Sequence, residues 1–565
     1  MKRDAATNAP ALDAAKAMPA GDQRLSVFRP PWMAGVAVVL LALCSNWPAF
    51  ANSFTLDDRF IVLLNPRIHM GEFTEFFAQS WWPPGVGTGL YRPLTMTALG
   101  LEWAYGAGDP AVFHAVSIAL HALVSLAVLA LAQLLLRGTL AFGAAALFAV
   151  HPVHVEVVAG AVGQAELIVA LLLIVAVAAY IHDRLTGPLR LRAGLAILAM
   201  GFAALFAKEH AIVLAALVVL AEAMVPLAPL AARVRWGRLA ALIFALACAA
   251  AVWLTARIST LGGFAGEVPL QLYEGRSLLS RARLALGIVP EWTRLLAWPQ
   301  RLYAEYLTDP AHALPLLRSR ELLGALLLTA AIVAVFACRR RLPAVAFGIV
   351  ALAVSALPVA NVLLPTGILL AERTLYLPSA FFVVAMMGGV APVIHSRLAT
   401  RRAVLASVLA VLLVTGMARS RQRMRDWRDD ETVFRTLVRD APDNAHARQL
   451  LGHWFFEHRR PVDGEREYRV AIQLTPADAA LHEQLGWQYV NHGLCAPAEP
   501  LFREAIRLHG PRQASSVGLA DCLLARGAAD EAKAVVRTAI AAGADAPSLL
   551  KRLREAERRL ERRTR

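Results

Sequence analysis

The sequence predicts an all-α protein in two parts, a polytopic membrane bundle followed by a water-exposed solenoid of helical repeats. Three observations carry this. Of 565 residues, 58% are hydrophobic and only 18% are charged, with a mean hydropathy of +0.52, a composition that a fully solvated surface cannot accommodate. Apolar runs of roughly 18 residues or more recur from Pro31 to about Met417, each long enough to cross a ~30 Å hydrocarbon core as a helix. Beyond Arg419 the chain turns polar and repeats itself at intervals of 34 residues.

About eleven spans are expected, at 32–50, 112–136, 139–150, 161–181, 191–207, 211–228, 238–256, 319–337, 343–364, 375–395 and 403–419, the third of them short. If the tail 1–31, with Lys2, Arg3, Lys16, Arg24 and Arg29, lies inside, the inside loops hold Arg137, His182 to Arg192, Arg233 to Arg238, Arg339 to Arg341, and Arg397 to Arg402. All are basic, as the positive-inside rule requires. The net charge of +15 is therefore read as topology, and no nucleic-acid partner is expected. Leu284 to Trp298 would reverse this order if it spanned, and is read as an interfacial or re-entrant segment on the outer side. Arg419, Arg421, Arg423 and Arg425 fall outside against the rule. Ala49-Phe50-Ala51 also offers a signal-peptide cleavage site; on either reading, the chain beyond Ala51 starts on the outer face. The multi-span domain is thus 32–419, with a first outer loop at 51–111. The five cysteines show no CxxC pair and imply no disulfide framework.

In the C-terminal part, Phe434, Tyr468, Phe502 and Val536 stand 34 apart, as do Ala471, Ala505 and Ala539, and as do Gly452 and Gly486. Pro442 and Pro476 close successive units. The pattern resembles tetratricopeptide repeats: a half unit ending near Pro442, three helix pairs to about Ala542, and a charged closing helix, all within 420–565. Such stacks present a concave, peptide-binding surface, with a ligand-free packing scaffold as the alternative.

The residues that could carry chemistry lie on the outer side. FTLDDRF places Asp57 and Asp58 just past the first span, where mutual repulsion can raise one pKa toward that of a general base; helix capping is the structural alternative. YRPLTMTALGLEWAYG is too short to span and reads as a helix on the outer leaflet, whose Arg92 can bind a phosphate or snorkel to headgroups. The next outer loop holds His151, His154 and Glu156, a spacing that could hold a metal ion but recurs by chance, followed by Gln164 and Glu166. An acid at the end of a span is costly unless it faces a polar cavity. Lys208 and Glu209 come next almost without a loop and could neutralise one another, and AERTLYLPS puts Glu372 and Arg373 at the same level. Together these groups suggest a cavity for a lipid-linked anionic substrate, with cations on the phosphate and a carboxylate as base. A non-catalytic membrane scaffold whose repeats recruit partners for envelope assembly is the alternative, but an anchor needs one span and no buried charge.

In the order YRPL, HPVHVEVVAGAVGQAEL, AKEH, AERTLYLPS and DWRDDETVF, the chain resembles the transmembrane and tetratricopeptide repeat-containing (TMTC) O-mannosyltransferases. The resemblance runs from about Phe54 into the repeats. It implies a GT-C fold glycosyltransferase that moves a sugar, in this family mannose, from a polyprenyl-phosphate donor to a protein acceptor presented by the repeats. A lipid or glycan acceptor is the open alternative. It further implies a catalytic base at Asp57 or Asp58, with Asp58 slightly preferred, and donor-phosphate contacts at Arg92, Lys208 and Arg373. His151, His154, Glu156 and Glu166 fall within its matching block without an assigned role. No cofactor is expected, with a divalent metal left open because transferases of this fold class differ on it. The Ala/Leu/Arg-rich composition and the few repeats resemble a bacterial member, implying an inner membrane with the repeats in the periplasm.

Overall fold

The computed structural model describes residues 32–83, 89–263, 271–273, 275–306, 310–363, 366, 368–394, 398–544 and 546–564. The N-terminal tail with its five basic residues, and Arg397, lie outside them. Among the described residues the chain is helical, with no β-strand.

Each of the eleven expected apolar segments contains a helix. They are α1 (Trp32–Asn46), α3 (Pro110–Leu135), α4 (Gly138–Ala149), α5 (Gln164–Thr186), α6 (Leu191–Ala207), α7 (Leu214–Met224), α8 (Ala232–Leu261), α10 (Pro310–Cys338), α11 (Pro343–Ala356), α12 (Tyr376–Gly389) and α13 (Ala399–Asp426). Two further helices, α2 (Pro93–Gly106) and α9 (Leu278–Ala297), occupy the stretches read as interfacial. Length separates the eleven. Seven helices, counted with their flanking turns, are long and apolar enough to cross a bilayer, and an eighth arises if α4 is joined to Pro152–Ala159 across a 46° bend. Pro152, which has no N–H to continue the α4 ladder, sits at that bend. Counted the same way, α6 (Leu191–Ala207) and α11 with its following turn (Pro343–Val359) reach only 17 residues each, short of the ~20 that a span needs. The chain is a multi-pass membrane protein with seven or more such helices.

Helix α9 carries Arg281, Arg283, Glu291 and Arg294 and does not have a span's composition. It lies along α10 at a crossing that glycine permits, since a Cβ on Gly287 would collide with the Leu317 carbonyl oxygen.

The bundle has two charged poles. At one, Glu222 of α7 accepts from Arg184, Arg235 and the Tyr180 hydroxyl, tying the end of α5 to the start of α8. At the other lie α2, the bend after α4, the turn after α6, the start of α12 and the end of α13. The C-terminal helices dock at this second pole. The Ser53 N–H donates to the Arg428 carbonyl at 2.8 Å, Arg59 pairs with Glu457 at 2.7 Å, and His446 meets Glu305 at 2.6 Å.

These helices are α14 (Asp430–Asp440), then the pairs α15 (Ala445–Glu457) with α16 (Pro461–Leu474), α17 (Ala479–Asn491) with α18 (Cys495–His509), and α19 (Gln513–Arg526) with α20 (Ala529–Ala541), closed by α21 (Ala546–Thr564). The 34-residue pattern is a packing pattern. Tyr468, Phe502 and Val536 are buried, and Cβ atoms on Gly452 and Gly486 would come within 2.8 and 2.9 Å of the Tyr468 and Phe502 rings.

Three of the four arginines that broke the positive-inside rule have internal partners. Arg419 donates to the Gln300 carbonyl at 3.0 Å and Arg421 to that of Cys44 at 2.7 Å, while Arg423 is buried 3.6 Å from both Glu372 and Asp426. They are not the free loop charges that the rule counts.

Candidate active site

The Asp57-Asp58 loop is held in a strained shape. Leu56 has φ +51°, a left-handed conformation that costs an ordinary residue about 1–2 kcal/mol, and its N–H is fixed by Asp430 at 2.9 Å. DWRDDETVF therefore reaches back to the acidic motif of the first outer loop. The two aspartates differ sharply. Asp58 is fully buried, and its two carboxylate oxygens accept from the N–H groups of Ala161 and Val162 at 2.9 and 2.8 Å. Helix capping is thus what Asp58 does, but for the turn that opens α5, about a hundred residues away. That turn is compact because residue 163 is glycine: a Cβ there would collide with the Val157 carbonyl oxygen. The Asp57 side chain is 40% exposed and lies 3.9 Å from Arg373.

Burial pushes the Asp58 carboxyl up to about 7, against the pull of the two N–H donors and with help from the Asp57 charge. A group whose folded pKa is raised stabilises the fold below its unfolded value, ~3.9, and loses that contribution as pH rises to about 7. The wild type is therefore expected to lose more thermal stability between pH 4 and pH 7 than Asp58→Asn, which cannot titrate. Parallel melting curves in one detergent would contradict this.

Arg373, in the AERTLYLPS block, joins Asp57 to Glu156. Its backbone N–H donates to Glu156 at 2.9 Å, and its guanidinium lies 3.1 Å from the other oxygen of the same buried carboxylate. Glu372 beside it is fully buried, accepting from the Tyr306 hydroxyl at 2.8 Å, with Arg423 at 3.6 Å. Burial, together with the Glu372 charge, keeps the Tyr306 hydroxyl well above its usual range and so protonated.

Arg92 does not snorkel. It grips Glu209 with two hydrogen bonds, at 2.6 and 3.1 Å, and its guanidinium lies 5.5 Å from the centre of the Trp81 ring. Lys208 and Glu209 do not neutralise one another, as adjacent residues were expected to: Lys208 pairs with Glu166, which also lies 3.4 Å from His210. The extended backbone at Lys208 sends neighbouring side chains in different directions. Burial lowers the Lys208 pKa despite Glu166; it would raise that of Glu209, but Arg92 holds this carboxylate well below its usual range.

The histidines are committed elsewhere. His151 Nε2 bonds the Leu296 carbonyl at 3.0 Å, and His154 Nε2 meets the Ser379 hydroxyl at 2.7 Å. With Glu156 held by Arg373, these three side chains do not fit a metal, and among the described residues no group of three or more His, Cys, Asp or Glu could hold one. Sequence reasoning missed Tyr306, Arg423 and Glu102, the last buried in α2, accepting from Gln164 at 2.8 Å and pushed up to about 8 by burial. Only Arg423 had left a signal, as a charge on the wrong side.

Asp57, Arg92, Glu156, Glu166, Lys208 and Arg373 thus lie in charge pairs at one pole of the bundle, with Asp58 beside them on backbone N–H groups. No family model matches the chain. It is 24% identical over 510 residues to mouse protein O-mannosyl-transferase TMTC3, covering 82% of this chain and 53% of that protein. It is 23% identical over 459 residues to Caenorhabditis elegans protein O-mannosyl-transferase F38B6.6, covering 78% and 62%. A shorter stretch of 159 residues, 26% of this chain and 17% of the other, is 35% identical to mouse protein O-mannosyl-transferase TMTC1. The chain is a TMTC relative. It spans about half the length of mouse and human TMTC3. In this TMTC relative no expected phosphate-binding cation stands unpaired: Arg92, Lys208 and Arg373 each face a carboxylate, and Arg373 is the most exposed of the three at 29%, against 12% for each of the others.

Proposed function

We propose that this protein is a membrane glycosyltransferase acting on proteins, taking a sugar, mannose by its relatives' names, from a polyprenyl-phosphate donor. The observation that carries the reading is the pairing of an exposed carboxylate, Asp57, with the most exposed cation of the site, Arg373. The acceptor hydroxyl oxygen bonds to the anomeric carbon as the bond from that carbon to the phosphate oxygen breaks. The hydroxyl proton passes to Asp57, and the charge released on the phosphate is met by Arg373. Asp57 suits the base better than Asp58, reversing the order expected from sequence, because both Asp58 oxygens are occupied and shielded from any acceptor. Arg92 is assigned to holding the outer loop against the turn after α6, and Lys208 to holding that turn against α5, more than to the phosphate, since each is gripped by a glutamate. The C-terminal repeats, docked beside the acidic loop, would present the acceptor protein.

The test of the activity compares periplasmic glycopeptides by mass spectrometry in cells with and without the gene. Hexose-bearing peptides are expected only when it is present, and identical glycopeptide sets would overturn the proposal. In the proposed orientation the candidate pole and the repeats face the periplasm of a bacterial inner membrane. A reporter fused after Arg425 is then expected to be active on that side only, and cytoplasmic activity would reverse the orientation.

A further inference from the structure

A cavity opens at the pole opposite the candidate site. It is a groove of about 630 Å³ between α3, α5 and α6. Its mouth is polar, with Gln133 near the end of α3, His182 near the end of α5, and Arg190 and Arg192 at the start of α6; its deeper walls are apolar, reaching Ala127 and Val175. Ala127 lies six residues above Gln133 and Val175 seven above His182, so the groove runs roughly 10 Å along the helices from a polar mouth into the hydrocarbon level. From Glu166 to His182 along α5 is roughly 24 Å, which places this mouth near the far membrane surface.

Three of the polar side chains at the mouth are unspent. Arg190 pairs with the buried Asp183, which cancels its charge, but the side chains of Arg192, His182 and Gln133 make no hydrogen bond or ion pair among the described residues. A guanidinium without a carboxylate at the membrane edge, above a slot lined with small apolar side chains, complements an amphiphile with one negative charge and an acyl chain. A neutral lipid would leave Arg192 uncompensated, and a free anion would leave the slot unfilled.

We propose that this groove binds one anionic phospholipid, its phosphate at Arg192 with His182 and Gln133 alongside, and one acyl chain in the slot between α3, α5 and α6. The site is distinct from the donor site, since the two lie at opposite ends of α5. Substituting Arg192 and His182 removes no side-chain hydrogen bond or ion pair among the described residues, so the variants should fold.

The test uses the purified full-length chain in detergent, examined by native mass spectrometry with phosphatidylglycerol and phosphatidylcholine of identical acyl chains. One phosphatidylglycerol should stay bound per chain, and Arg192→Gln combined with His182→Gln should cut its retention about fivefold or more. Ala130→Phe, which fills the slot and leaves the charges, should also lower it. Equal retention of the two lipids, or a double variant that keeps phosphatidylglycerol as the wild type does, would overturn the site. So would thermal stabilisation by inorganic phosphate equal to that by the lipid.

Discussion

Asp57→Asn is expected to slow sugar transfer by about 10²- to 10⁴-fold while the protein still inserts, folds and binds donor. That is the usual contribution of a positioned general base. The side chain is 40% exposed and its one ion-pair partner among the described residues, Arg373, is 3.9 Å away, so its removal costs little stability. Asp58→Asn is the informative contrast. An amide presents one acceptor where the carboxylate presents two, so one of the Ala161 and Val162 N–H groups loses its partner, at about 1–3 kcal/mol. The expected signature of Asp58→Asn is a lower melting temperature and less folded protein, with transfer per folded molecule reduced far less than in Asp57→Asn. Turnover measured per folded molecule in defined lipid separates the two. If Asp57→Asn transfers at the wild-type rate, the base lies elsewhere, and Glu156, which shares Arg373, is the next to substitute.

Much of this arrangement was legible in the sequence because membrane geometry is restrictive. Alternating apolar runs and basic loops put YRPL, HPVHVE, AKEH and AERTLYLPS on one side before any contact was known, and the structure brings their charged residues to one pole. The partners were not legible. Asp58 caps a turn about a hundred residues away, Lys208 bypasses its neighbour for Glu166, and Arg423 closes on Glu372 from the far end of α13. Sequence spacing reports which residues can share a helix face, whereas these pairs join separate elements whose approach is set by packing. The span count had a similar origin. Apolar runs mark both full spans and the shorter helices α4, α6, α7 and α11, and what separates them is how far each helix continues, flanking turns included, before the chain breaks or bends.

The second large effect is expected at Arg373, and the choice of substitution decides what is learned. Arg373→Ala would leave Glu156, a buried carboxylate, without its guanidinium partner, and stranding one member of a buried pair costs about 3–5 kcal/mol. Lost activity would then report unfolding as readily as lost donor binding. Arg373→Lys keeps a cation against Glu156 and leaves the backbone N–H on that carboxylate untouched. What it removes is the planar fork that grips two phosphate oxygens at once, which an ammonium cannot reproduce. If Arg373 meets the donor phosphate, Arg373→Lys should raise the donor KM about tenfold or more and leave the acceptor KM near the wild-type value. Arg92→Lys should instead act through stability, since Arg92 already spends its fork on Glu209. A donor KM unchanged in Arg373→Lys, with the protein fully folded, would remove Arg373 from the phosphate site and leave it the structural task of joining Asp57 to Glu156.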